Sequence, residues 1–204
     1  MDAETMASLR GGLEHIEYFK SIPWCAAIIN DPKYIPSPAV TRQSKVSGED
    51  SFFAQTLQTD STIKRLLIIN SKPDPSLNPP IQEVYVFFEV GSGVNGYPDT
   101  CHGGFVATML DEVMGIVLNV NQLYENSKTG RSDNINHMTA YLNTGYVAPV
   151  RTPGVILATA KVAKQEGRKL WVNGTLEDKE RNVLSKSESL YIKPKKDPRA
   201  GTKL

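Results

Sequence analysis

Cysteine is nearly absent: the 204 residues hold two, Cys25 and Cys101. Two thiols build no disulfide framework, which suits a reducing compartment and makes the cytoplasm the expected location. Histidine is almost as scarce, and His15, His102 and His137 show no ligand spacing, so no metal is expected. Neither sign of charge prevails. The 23 Lys and Arg against 22 Asp and Glu leave a net charge of +1, which points to neither nucleic acid nor an anionic membrane as partner. No G-x-S-x-G occurs, which excludes the serine elbow of α/β hydrolases. The start, Met1-Asp2-Ala3-Glu4, is acidic with no apolar run behind it, so neither a secretory signal nor a transit peptide is expected. The longest apolar run, Phe105 to Val120, carries Asp111 and Glu112 and is short for a bilayer crossing, so no stable membrane insertion is expected. No internal repeat is visible.

What is present suits one soluble domain with an added arm, the hydrophobic fraction being 40%. Leu9, Leu13, Ile16 and Phe19 predict a helix over Ala7 to Phe19 that stops at Pro23. The proline-bearing stretch Asp31 to Gly48 reads as an irregular connector. Strand-like runs follow at Phe52 to Leu57, Ile63 to Ile69 and Glu83 to Val90. Lys72 to Pro80 and Gly91 to Thr100 read as loops. A helix is predicted from about Gly103 to Val120, apolar nearly all round, with Gly104, Thr108, Asp111 and Gly115 on one reserved line. Gln122 to Asn136 is polar and reads as a surface excursion. Four strands are then expected, at His137 to Val147, Gly154 to Lys164, Lys169 to Glu177 and Val183 to Lys193, with breaks short enough to demand antiparallel neighbours. In the last of these, neither Leu184, Lys186, Glu188, Leu190 nor Ser185, Ser187, Ser189, Tyr191 is uniformly apolar. A buried helix leading into an antiparallel meander is an α+β layer arrangement. Three parts are expected: a helical arm and connector over 1–50, a main domain over 51–193 and a basic tail over 194–204. The chain ends Thr202-Lys203-Leu204, one residue from the Ser-Lys-Leu peroxisomal address, so a peroxisomal location is the alternative.

The chemistry concentrates at Cys101-His102-Gly103-Gly104. A glycine-led helix start offers free N–H groups to a developing negative charge. In the third turn of that helix, Asp111 is costly to desolvate unless paired or used. Glu112 is the competing carboxylate, about 100° further round and off the reserved line. Three other features invite chemistry. Gly91-Ser92-Gly93-Val94-Asn95-Gly96 matches G-x-G-x-x-G, but no helix opens inside it and no further βαβ units follow, so it reads as a loop. Cys101 beside His102 lacks a third orienting group and reads as an inert buried thiol. Lys164, Arg168 and Lys169 gather at one turn, either as a solvated hairpin end or as a clamp for phosphate groups.

His-Gly-Gly with Asp nine positions after the His, on a buried helix leading into a long meander, resembles the hotdog-fold acyl-CoA thioesterases, most closely their phenylacetate-type branch. Glu166-Gly167-Arg168-Lys169 and the Tyr191-Ile192-Lys193 ending are similar to the carboxyl-terminal modulator protein subgroup and fungal relatives. The resemblance covers roughly Phe52 to Lys193. It implies a curved antiparallel sheet wrapped around one central helix, here with an N-terminal helical extension, and a homodimer, or a tetramer built from it, with sites at the dimer interface. It implies hydrolysis of an acyl-CoA or other acyl thioester and needs no cofactor. By the same resemblance Asp111 is the catalytic carboxylate, acting from the partner subunit, and the Gly103 N–H is the oxyanion donor. His102 positions the thioester, and Thr139 orients water beside the carboxylate. Gly104, Thr108, Asn95, Arg168 and Lys169 are the expected substrate contacts. Some members carry an Asn six residues before the His; that position is Gly96 here, with Asn95 one step away. Two other activities stand on the same scaffold: non-catalytic acyl-CoA or lipid binding, and a hydratase or dehydratase.

Overall fold

A computed structural model describes residues 15–130 and 137–194. The first part of the predicted N-terminal helix, the end of the Gln122 to Asn136 segment and the basic tail with Thr202-Lys203-Leu204 lie outside these residues. One antiparallel sheet holds seven strands: β1 (Tyr34–Ser37), β2 (Ile63–Ser71), β3 (Glu83–Val90), β6 (Met138–Tyr146), β7 (Gly154–Glu166), β8 (Lys169–Glu177) and β9 (Val183–Ile192). Their spatial order is β1-β2-β3-β7-β8-β9-β6, with a separate short pair of β4 (Asn95–Tyr97) and β5 (Thr100–Cys101). Helix α3 (Gly103–Thr129) packs against one face of β3, β7, β8 and β9. This is the hotdog arrangement, with Val106, Met109, Leu110, Val113, Met114 and Val117 buried between helix and sheet.

The close approach of α3 is set by small residues on the strands. A Cβ at Gly174 would stand 3.0 Å from Met114 Cγ, so glycine on β8 lets the helix settle. On β9 the serines, not the leucines, face inward. Ser185, Ser187 and Ser189 are buried, and their hydroxyls donate to the carbonyls of Gly145, Asn143 and Tyr141 at 2.8, 2.7 and 2.9 Å. The polar face is buried because each hydroxyl finds an acceptor on the neighbouring strand. These bonds fasten β6, the sheet's last strand.

The second face of β1, β2, β3 and β7 is covered by a helix over 15–20 (α1) and by α2 (Pro23–Ile29). Phe19, Cys25 and Ile29 pack there on Leu67, Ile69, Phe87 and Leu157. Several sequence expectations are corrected. Pro23 opens α2 instead of merely ending the preceding helix, because proline suits the first helical position. The connector holds β1, paired with β2, and a 3₁₀ turn over Val40–Arg42. Phe52 to Leu57 is a π-helical turn over Phe52–Thr56, not a strand. Its inward side is Phe53, Ala54 and Leu57, and Arg42 takes up the carbonyls of Phe53 and Leu57 at 3.2 and 3.3 Å. The Gly91 to Thr100 loop contains β4 and a 3₁₀ turn at Ser92–Val94.

α3 also runs nine residues beyond Val120, to Thr129, before Gly130 closes it with a φ of 64°. The polar residue that masks this continuation is Asn121. It is buried, accepting from the Ile81 N–H at 2.9 Å and donating to the Ile81 and Val117 carbonyls. At 27 residues α3 is long and apolar enough to cross a membrane by length and composition alone; here it is the core helix under the sheet.

Candidate functional site

His102 is the N-cap of α3, with extended backbone at φ −62° and ψ 135°. Its Nδ1 accepts from the Gly104 N–H at 3.0 Å, satisfying one free donor of the first turn and leaving the proton on Nε2. The Phe105 and Val106 N–H groups turn back to the His102 carbonyl at 2.9 and 3.0 Å. The Gly103 N–H therefore stands apart, and among the described residues it meets no acceptor. Tyr146, at the end of β6, lies beside Gly103 and donates to its carbonyl at 2.9 Å. His102, Gly103, Gly96, Tyr97, Tyr146 and Val150 line an open cleft of about 510 Å³. A Cβ at Gly96 would come to 3.0 Å from His102 Cα, so any larger residue there would press on the helix cap.

Asp111 sits eight residues along the same helix, roughly 12 Å away by helical rise. β6 and β9 hold it. Thr139 and Tyr191 are direct register partners, so their side chains leave the sheet on one face. The Thr139 hydroxyl reaches Asp111 Oδ1 at 3.4 Å, and the Tyr191 hydroxyl reaches the Asp111 carbonyl at 3.2 Å and Oδ1 at 3.5 Å. A bulge between Thr139 and Tyr141 lies beside this pair, a common device for aiming a side chain. Burial raises the Asp111 carboxyl above its ordinary value, while the Thr139 and Tyr191 hydroxyls pull it back down. Burial also holds Tyr191 well above the ordinary tyrosine range, so it stays a donor.

Glu112 faces the other way. Thr41 of the 3₁₀ turn donates to its Oε1 at 2.6 Å, and Arg42 lies in its field. Desolvation pushes the Glu112 carboxyl from 4.5 up to about 7, reinforced by Asp50 and Asp111 and opposed by Thr41 and Arg42. A raised value favours the folded state fully below the ordinary value, and that contribution is lost as pH rises through about 7. Thermal unfolding scans between pH 4.5 and 8 should show a falling Tm that Glu112→Gln flattens, since Gln still accepts from Thr41 and carries no charge. An unchanged slope in the variant overturns this assignment.

The remaining expected contacts are dispersed. Thr108 donates to the Gly104 carbonyl at 3.0 Å, not to Asp111. Asn95 accepts from the Thr152 hydroxyl. Arg168 and Lys169 line a second pocket of about 210 Å³ with Leu118, Asn121 and His137, about 15 Å further along α3 from Asp111. There Arg168 donates to the Lys193 carbonyl at 2.6 Å, and Lys164 and Lys169 lie over the Trp171 ring at 5.0 and 6.0 Å. Among the described residues, no three His, Cys, Asp or Glu side chains are placed to share a metal ion. Sequence reasoning missed Tyr191 and Tyr146 as neighbours of the candidate groups. Tyr191 shares the inward face of β9 with the three serines, and that alternation was the available signal.

Residues 99–185 match the profile of the thioesterase superfamily. Verlamelin biosynthesis protein B of a Lecanicillium species is 28% identical over 182 residues, 76% of this chain and 77% of that protein. An acyl-coenzyme A thioesterase of Rattus norvegicus is 29% identical over 113 residues, 55% of this chain, and this chain spans 44% of its length. A Streptococcus pneumoniae TIGR4 thioesterase, solved with coenzyme A, is 15% identical over 54% of this chain and 80% of its own, with a TM-score of 0.46.

Proposed function

We propose, for a chain whose residues 99–185 match the thioesterase superfamily and whose fold is the hotdog arrangement, that it hydrolyses an acyl-CoA or a carrier-bound acyl thioester to free acid and thiol. The observation that carries this reading is one helix bearing both parts of the chemistry. Its first N–H opens on a cleft, and its third turn holds a carboxylate with one oxygen bonded and the other clear of donors among the described residues. The thioester oxygen binds at the Gly103 N–H and the positive end of α3, where negative charge develops as the carbonyl is attacked. Asp111 activates water or attacks the carbonyl itself, and the thiolate leaves. The fungal relative carries a biosynthetic name and the rat relative an acyl-CoA name, so both thioester types belong in the test.

The spacing along α3 supports a reading in which the two parts come from two subunits. A carbonyl touching the Gly103 N–H cannot also meet an Asp111 roughly 12 Å along the same helix. Pairing two chains about an axis that sets their helices antiparallel brings Gly103 of one to Asp111 of the other. Strand β6 offers the edge for such pairing: it is the last strand of the sheet, and Met138, Tyr146 and Val147 are 69, 59 and 60% exposed.

His102 argues against the hydratase alternative. Its ring caps the helix and, among the described residues, has no carboxylate bonded to it, whereas that chemistry needs such a pair acting on an enoyl group. The test is thiol release from short, long and aromatic acyl-CoAs and from acyl-phosphopantetheine carriers. Turnover of one class establishes the reaction. Tight binding without turnover favours the non-catalytic alternative, and hydration of an enoyl-CoA favours the hydratase.

A further inference from the structure

We propose that Tyr191 is a positioning residue for Asp111, its one hydroxyl proton shared between the backbone carbonyl and one carboxylate oxygen so that the other oxygen faces the substrate; its bearing on catalysis rests on the hydrolase reading above. Tyr191 is 3% exposed and comes from β9, on the far side of the chain from the His102 motif. Its hydroxyl lies 3.2 Å from the Asp111 carbonyl and 3.5 Å from Oδ1, while Thr139 takes the same Oδ1 from β6. Both side-chain donors therefore share one oxygen, and Oδ2 meets none among the described residues. Gly115, one turn beyond Asp111, lies beside this hydroxyl, where an added Cβ would make an ordinary contact at 3.9 Å.

The effect is on both orientation and ionisation. A hydroxyl donating to a carboxylate favours its charged form, and Tyr191 opposes the upward push of burial on Asp111. The other titratable group beside Asp111 is Glu112 on α3 itself, whose charge acts in the opposite sense. Phenylalanine keeps the ring of Tyr191 and removes only the hydroxyl, and the Gly115 N–H can still bond the Asp111 carbonyl along the helix.

In Tyr191→Phe, kcat for the thioester that the wild type turns over fastest should fall about fivefold with KM unchanged. The acid limb of its pH profile should move upward by about half a pH unit. Asp111→Asn run beside it separates the two readings. A dead Asp111→Asn with a Tyr191→Phe whose kcat and acid limb match the wild type overturns the positioning role and leaves the hydrolase intact. The clamp is also measured without any substrate. Carbon-13 NMR titration of the Asp111 carboxyl should show the same upward move in Tyr191→Phe, and an unmoved titration overturns the proposal even if no thioester is cleaved.

Discussion

Replacing Asp111 with Asn is expected to lower kcat for thioester cleavage by about three orders of magnitude while leaving the fold intact. Asparagine matches aspartate in shape, and its oxygen can still accept from Thr139 and Tyr191. What it loses is the capacity to take a proton or to attack a carbonyl. The fold has no cause to suffer. Burial raises the Asp111 carboxyl, so its charge is borne at a cost in the folded state, and a neutral amide relieves that cost. Tm should therefore hold or rise as activity disappears. Wild-type turnover in a folded Asp111→Asn protein would remove the carboxylate from the reaction. Loss of activity in Glu112→Gln alone would transfer the role to the neighbouring residue.

The distinction between Asp111 and Glu112 was legible from helical spacing, because an offset of 100° separates the line of small residues from the face that meets the connector. The identity of the groups on either side was not legible. Tyr191 and Thr139 reach Asp111 from strands 80 and 28 positions away, and their meeting depends on a register with a bulge beside it. Thr41 reaches Glu112 from 71 positions away, out of a segment that reads as irregular. Strands β3 and β8 follow the pattern of their own residues closely: β8 buries alternate side chains, and β3, covered on both faces, buries the continuous apolar run Val84 to Phe88. The failures came where polar residues were buried through a partner distant in sequence. Asn121 continues the helix because Ile81 satisfies its amide, and the β9 serines face inward because β6 carbonyls accept from them. The Phe52 turn reads as a strand because two adjacent aromatics favour one, and tertiary contacts with Arg42 prevail over that preference.

Removing the Gly103 N–H should be almost as damaging as removing the carboxylate, and proline does so with little disturbance. Gly103 is the first residue of α3, where proline is tolerated, and His102 before it already has the extended backbone that proline requires. Gly103→Pro should lower kcat by about 10²- to 10³-fold, the usual loss of one oxyanion donor. Gly103→Ala is the control: its Cβ would meet the Tyr146 ring at 3.5 Å, an ordinary contact, and its N–H is kept. The two damaged chains then test whether a site spans two subunits. In a mixed dimer of Asp111→Asn with Gly103→Pro, one site would combine both substitutions and the other would combine the intact amide with the intact carboxylate. Co-expression under two different tags and purification through both should give a dimer with about half the wild-type rate. Each parent alone should remain inactive. A mixed dimer as inactive as its parents, or failure to isolate one at all, would place amide and carboxylate outside any shared site and overturn the two-subunit mechanism.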